Sequence, residues 1–182
     1  MSSATGSPRL VSSRLKKSLY RIVSDNHGQT VRRPPPPGTI CPIVTVAWVA
    51  AESQHGWELG QKWIESKKEL VATAGWSTLT SLVAIKPDEE LELAELKKLV
   101  GRVGKTIHDQ PNRVRSAMNL FLISVGSYVK SLTDLAIKTA EKIGTVEVDV
   151  GDTDCKVPAA ADYIRKVIVH GSHGKKRKTA KC

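Results

Sequence analysis

The chain has 182 residues, 40% of them hydrophobic and 4% aromatic, with a formal net charge of +10. That is enough for one packed domain with tails; no apolar run approaches the ~20 residues of a membrane-spanning helix, and no apolar stretch follows the first basic residues as it would in a secretory signal. Three widely spaced cysteines, Cys41, Cys155 and Cys182, argue against a disulfide framework and for a reducing, cytoplasmic setting.

The charge is uneven. Residues 1–44 hold seven basic residues and one acid, Asp25, and residues 174–182, GKKRKTAKC, hold five basic residues and no acid. The interval 45–173 has sixteen basic and seventeen acidic residues, so it is almost neutral. Attraction to a polyanion is therefore expected from the ends or from local patches.

Residues 1–44 read as a poorly ordered leader. MSSATGSPRLVSS is rich in Ser, Gly and Pro, and the four prolines of VRRPPPPG favour polyproline II over helix. A short helix over Arg14–Val23 competes there with a solvated basic stretch. From residue 45 helical periodicity takes over. TVAWVAAE is a short apolar helix. HGWELGQKWIES is the next, with Trp57, Leu59, Trp63 and Ile64 on its apolar side. ELVATAGWSTLTSLVAI repeats Leu70, Val71, Ala74, Leu79, Leu82 and Val83 at helical spacing. LELAELKKLVGRVGKTIHD, entered through the acidic turn KPDEE, aligns Leu91, Leu96, Leu99, Val100, Val103 and Ile107. Acids ahead of a helix suit its dipole.

Pro111 opens the following helix, since its missing N–H would be unpaired there anyway. On a wheel of about 100° per residue, Val114, Ala117, Met118, Phe121 and Val125 share one sector, the buried stripe. Arg113 and Arg115 flank it, and Asn112, Arg115 and Asn119 form a second, polar stripe. Guanidinium groups beside the outward N–H groups of a helix start make an anion site that could follow a phosphate backbone. The ordinary alternative is pairing with surface carboxylates. KSLTDLAIKTAEKIG is another amphipathic helix, stopped by Gly144; Val146, Val148 and Val150 alternate as in a short strand; PAAADYIRKVIV is the last helix. About seven helices joined by short turns fit an all-α stack of helical hairpins, each burying its face on the next.

Other features are weaker. Trp57, Trp63 and Trp76 serve either as core or as base-stacking platforms. Asp149, Asp152, Asp154 and Cys155 gather on one loop, but the spacing lacks the terminal glutamate of an EF-hand, and turn chemistry accounts for it. No CxxC or HxxxH spacing occurs, so neither metal nor cofactor is expected. Cys155 beside Lys156 has no histidine near it in sequence to make it a nucleophile.

The strings HGWELGQKWIES, ELVATAGWSTLTSLVAIKPDEEL, IHDQPNRVRSAMNLFLISVGSYVK, KIGTVEVDVGDTDCKVPAAADYI and GKKRKTAKC resemble the bacterial DNA alkylation repair proteins, related to AlkD-type alkylpurine DNA glycosylases. The resemblance runs from about Thr45 to Cys182. It implies an α-α superhelix of HEAT-like, ARM-type repeats whose concave face holds DNA. In the glycosylase branch a cationic alkylated base is excised without a metal, with cleft aromatics and an aspartate in support. The chain departs from that pattern twice. It resembles a C-terminal portion of the family domain behind an unrelated leader. And although Trp63 matches a cleft tryptophan, the aspartate four residues on is replaced by Lys67, which would repel a cationic sugar at short range. A later cleft tryptophan is also missing, near Leu120 and Phe121.

The expected organisation is a leader over 1–44, a helical-repeat domain over 45–170 and a basic tail over 171–182. The expected partner is duplex DNA, with alkylated bases as the candidate lesion, bound by a monomer and without a membrane. Arg113, Arg115, Asn119, Lys175, Lys176, Arg177 and Lys178 would hold the backbone, while Lys67, Trp63 and Trp76 would line the base site. Two alternatives stand: an active glycosylase using Glu65 or Glu69, and a protein-binding helical scaffold.

Overall fold

A computed structural model describes residues 42–149 and 157–180. The leader, its suggested helix over Arg14–Val23, and Val150, Asp152, Asp154 and Cys155 lie outside the described residues. Seven α-helices follow one another: α1 (Pro42–Glu52), α2 (Gly56–Ile64), α3 (Glu69–Ile85), α4 (Leu93–Thr106), α5 (Asn112–Tyr128), α6 (Thr133–Ile143) and α7 (Ala160–Val169). α1 begins three residues before the boundary placed at residue 45. No single described helix is long and apolar enough to cross a membrane.

The helices form two rows. α1, α3, α5 and α7 pack side by side in one, and α4 and α6 in the other, with α2 hairpinned onto α3. Neighbours within a row run parallel and in register. Glu69 meets Arg113, and Thr80 meets Ser124, 44 residues apart in both cases. Asn119 meets Pro158 at a separation of 39. In the other row Gly104 lies against Thr139, and His108 bonds Ile143 at a separation of 35. Such near-constant offsets are the spacing of a helical-hairpin repeat, although no repeat is visible in the residues themselves.

Burial explains which helices are central. α4, α6 and α7 each keep one buried stripe, whereas α3 and α5 bury residues around most of their circumference. Trp76 and Phe121 meet edge to face, ring centres 5.1 Å apart, at the middle of the α3–α5 contact. Both are fully buried, and such pairs add to their burial energy. Gly75 lets α2 approach α3: a Cβ there would lie 2.6 Å from the backbone nitrogen of Ile64. Leu70, expected in the α3 stripe, is only half-buried.

Two sequence expectations fail here. The valine alternation does not form a strand over 145–149, and no strand occurs among the described residues. Val146 is buried and Val148 half-buried, with Glu147 exposed between them. The alternation is real but serves an extended segment lying on the core, with no partner strand to make a ladder.

Nor is GKKRKTAKC a free tail over its described part. Gly174, at φ +74°, turns the chain back across the C-terminal ends of the inner row, that of α1, α3, α5 and α7. Its N–H donates to Ser127 O of α5 (2.8 Å), the Arg177 N–H to Ala84 O of α3 (2.8 Å), and the Ala180 N–H to Glu52 Oε1 at the end of α1 (2.9 Å). Lys176 Nζ donates to Val83 O (3.0 Å) and lies 2.8 Å from Asp88 Oδ1. The last carbonyls of a helix have no intrahelical donor and carry its negative pole, so a basic strap with free N–H groups satisfies both needs.

This strap separates two adjacent lysines. Lys176→Ala removes a charge-assisted bond and an ion-pair partner, and should cost about 1–3 kcal/mol in denaturant unfolding. Lys175→Ala, at an exposed position, should stay within about 0.5 kcal/mol of the parent. Equal effects would show that the Lys176 side chain does not fasten the strap.

Candidate nucleic-acid interface

The opposite end of the inner row carries the helix N-termini, which differ in the acid that the local sequence gives them: α3 begins at Glu69, and α7 has Asp162 in its first turn. α5 has no acidic residue in its first turn. α3 is preceded by Lys68, with no side-chain cap. The missing anion comes from a neighbouring helix. Glu69, the first residue of α3, accepts a hydrogen bond from the Arg113 N–H at 2.9 Å. A carboxylate at a helix start satisfies an orphan donor and the positive pole together. The same bond brings the turn before α3 to the start of α5. Lys67, Lys68 and Arg113 thereby share one edge; all three are exposed, and their side chains have no ion pair or hydrogen bond among the described residues.

Two of the acids near this edge are committed. Glu65 pairs with Arg102 of α4, whose guanidinium carbon also sits 5.9 Å from the centre of the Trp76 ring. Glu69 is the cap just described. Neither is placed as a free general base or as a stabiliser of a cationic sugar. The two glutamates proposed as catalytic candidates instead fasten α2 to α4 and α3 to α5.

The polar stripe of α5 has a different job from the one expected. Asn112 exchanges two bonds with the Asp149 backbone: its Nδ2 donates to Asp149 O (2.6 Å), and Asp149 N donates to its Oδ1 (2.7 Å). Asn119 is 2% exposed, and its amide donates to Pro158 O at 2.9 Å. Two turns apart on one flank, these amides secure both sides of the connection between α6 and α7. Asn119 is therefore no phosphate ligand. Arg115 lies between them, half-buried. Its Nη2 is 3.5 Å from Asn112 Oδ1, and its Nε is buried without a partner among the described residues.

The base-contacting tryptophans are corrected as well. Trp63 is 2% exposed, within the cluster of Val46, Ala50, Leu59, Val71 and Ala74; Trp76 is 1% exposed, against Phe121. Both are core, and no base can reach them in this arrangement. Of the tail residues, Lys176 is tied to α3 and its turn. Arg177 is bonded through its backbone, and Lys175 and Lys178 are exposed on the strap. Asp88, Glu89 and Glu90 of the turn after α3 and Glu52 lie at the same end, but Glu90 pairs with Lys86 and the Lys130 side chain lies against Gly174, so basic residues stay in excess there. Sequence reasoning missed Lys68 as part of the edge; its neighbour Lys67 was the available signal. No group of three or more His, Cys, Asp or Glu suited to a metal ion occurs among the described residues.

No family model matches the chain. Two curated relatives, the uncharacterized proteins Lin0241 of Listeria innocua serovar 6a and Lmo0209 of Listeria monocytogenes serovar 1/2a, are 37% identical over 106 residues and 36% identical over 104 residues. The matches take in 58% and 57% of this chain but 44% and 43% of the relatives, so the chain spans less than half their length. A solved structure superposes with a TM-score of 0.69 at 33% identity, over 75% of this chain and 58% of that one. It is described as representing a new family of proteins related to the HEAT-like repeat DNA glycosylases with affinity for branched DNA structures. The two-row stack of parallel hairpins is thus the HEAT-like architecture that the sequence resemblance implied.

Proposed function

We propose that this protein binds DNA, and branched DNA in preference to a continuous duplex, as a cytoplasmic monomer that does not excise bases. The observation that carries the reading is the edge formed by Lys67, Lys68 and Arg113. Three exposed cations with no side-chain partner among the described residues stand at the aligned starts of α3 and α5, where backbone N–H groups add to the same field. Phosphate binding at such an edge is sequence-independent and releases counterions. The solved neighbour supports branched DNA as a ligand, since it is described by an affinity for branched DNA structures.

Glycosylase chemistry fits less well. An oxocarbenium-like sugar needs a nearby carboxylate, and Lys67 stands where the resemblance would place one. Glu65 and Glu69 are held elsewhere, and Trp63 and Trp76 are core. Recognition of alkylated bases is not part of this reading.

Two outcomes follow. Binding to duplex and junction DNA should weaken linearly in log salt, and the triple variant Lys67→Ala/Lys68→Ala/Arg113→Ala should lower that slope by about two to three, whatever the sequence. Binding indifferent to salt, or a slope unchanged in the variant, contradicts the proposed edge. Methylated duplex incubated with the protein should release no alkylated base; release above the protein-free control would restore the glycosylase reading.

A further inference from the structure

α5 has a neighbour on each side. Phe121 and Ser124 face α3, the latter donating to Thr80 O at 3.0 Å, while Asn119 and Gly126 face the α7 side, at Pro158 and Ile164. The strip left open between them carries Arg113, Ser116 and Leu120, at helical spacings of three and four. Arg113 is exposed, Ser116 half-buried, and Leu120 is 48% exposed between the buried Asn119 and Phe121. The corresponding strip of α3 carries Thr73, Ser77 and Ser81, all half-buried. Leu120 is thus an apolar side chain beside short hydroxyl residues, on the helix that begins at the cationic edge.

One exposed leucine is ordinary on a protein surface. Its position relative to Arg113 is what gives this one a use. Seven helical residues separate the two by about 10.5 Å, and the grooves of a duplex are about 8 Å deep. The two lengths are similar enough for one strand to meet Arg113 through a phosphate and Leu120 through a base. Leucine is among the side chains that wedge between base steps. The cost of wedging is unstacking, which a continuous duplex opposes and which a branch point has already met.

We infer that Leu120 is the residue that reads the branch, docking against bases unstacked at a DNA junction while Arg113 and Lys67 hold the phosphates. This rests on the DNA-binding reading above and adds the source of its preference. Arg113 and the two lysines supply affinity for any DNA. Leu120 contributes only where stacking is interrupted.

The experiment compares the full chain with Leu120→Ala and Leu120→Met. The probes are a three-way junction carrying 2-aminopurine at the branch and a linear duplex of equal length, at one salt concentration. The wild type should bind the junction more tightly and change the branch fluorescence. Leu120→Ala should lose about tenfold on the junction, about 1.4 kcal/mol, leave duplex affinity and thermal unfolding unchanged, and abolish the fluorescence change. Leu120→Met should restore both. Equal loss on the two DNAs, no loss on the junction, or no preference in the wild type overturns the wedge while leaving DNA binding in place. A wild type that binds neither DNA removes the parent reading, and the wedge with it.

Discussion

The pairing of α3 with α5 is the constraint on which the other parts depend. The two helices run parallel with a fixed offset: Glu69 caps Arg113 at one end, Trp76 meets Phe121 at the middle, and Ser124 bonds Thr80 one turn further on. Hydrophobic burial supplies the energy of this contact, but burial is non-directional and would tolerate a slipped register. The two hydrogen bonds fix the register. A slip of one turn would leave both the Arg113 N–H and the Glu69 carboxylate without the partner each now has.

Parallel packing also gives the inner row two unlike ends. At the C-terminal ends, carbonyls and helix poles meet the basic strap, and Asp88 of the turn after α3 pairs with its Lys176. At the N-terminal ends the one anion contributed by α3 is spent on the α5 backbone, which leaves Lys67, Lys68 and Arg113 facing outward. Two basic sequences of similar appearance therefore have opposite roles. KKRK fastens the fold through Lys176 and the Arg177 backbone, while lysines and an arginine from turns far apart in sequence make the cationic edge proposed to meet DNA. The high net charge counted both alike.

Much of the fold was legible because helix formation is local. The apolar positions of α3, α4 and α5 repeat at helical spacing, and Gly144 ends α6 where expected. What could not be read was the identity of distant partners. Asn112 and Asn119 look like a polar stripe from their own helix; only their bonds to the backbones of Asp149 and Pro158 show them to be clamps. Glu69 looks like a spare carboxylate until the start of α5, 44 residues away, is brought beside it. Trp63 and Trp76 could have faced a cleft or the core, and helical spacing alone does not distinguish the two. The valine alternation near residue 146 carried a true signal of one-sided burial, but a strand also needs a neighbour, which no local pattern supplies.

The central claim is that the N-terminal edge, not the basic strap, meets DNA. Amide hydrogen exchange of the full chain, with and without a saturating DNA junction, tests it most directly. Protection gained over Lys67–Leu70 and Asn112–Ser116, with Lys175–Lys178 unchanged, is the predicted result. Protection concentrated on Lys175–Lys178 would contradict it and return the phosphate contacts to the C-terminal segment.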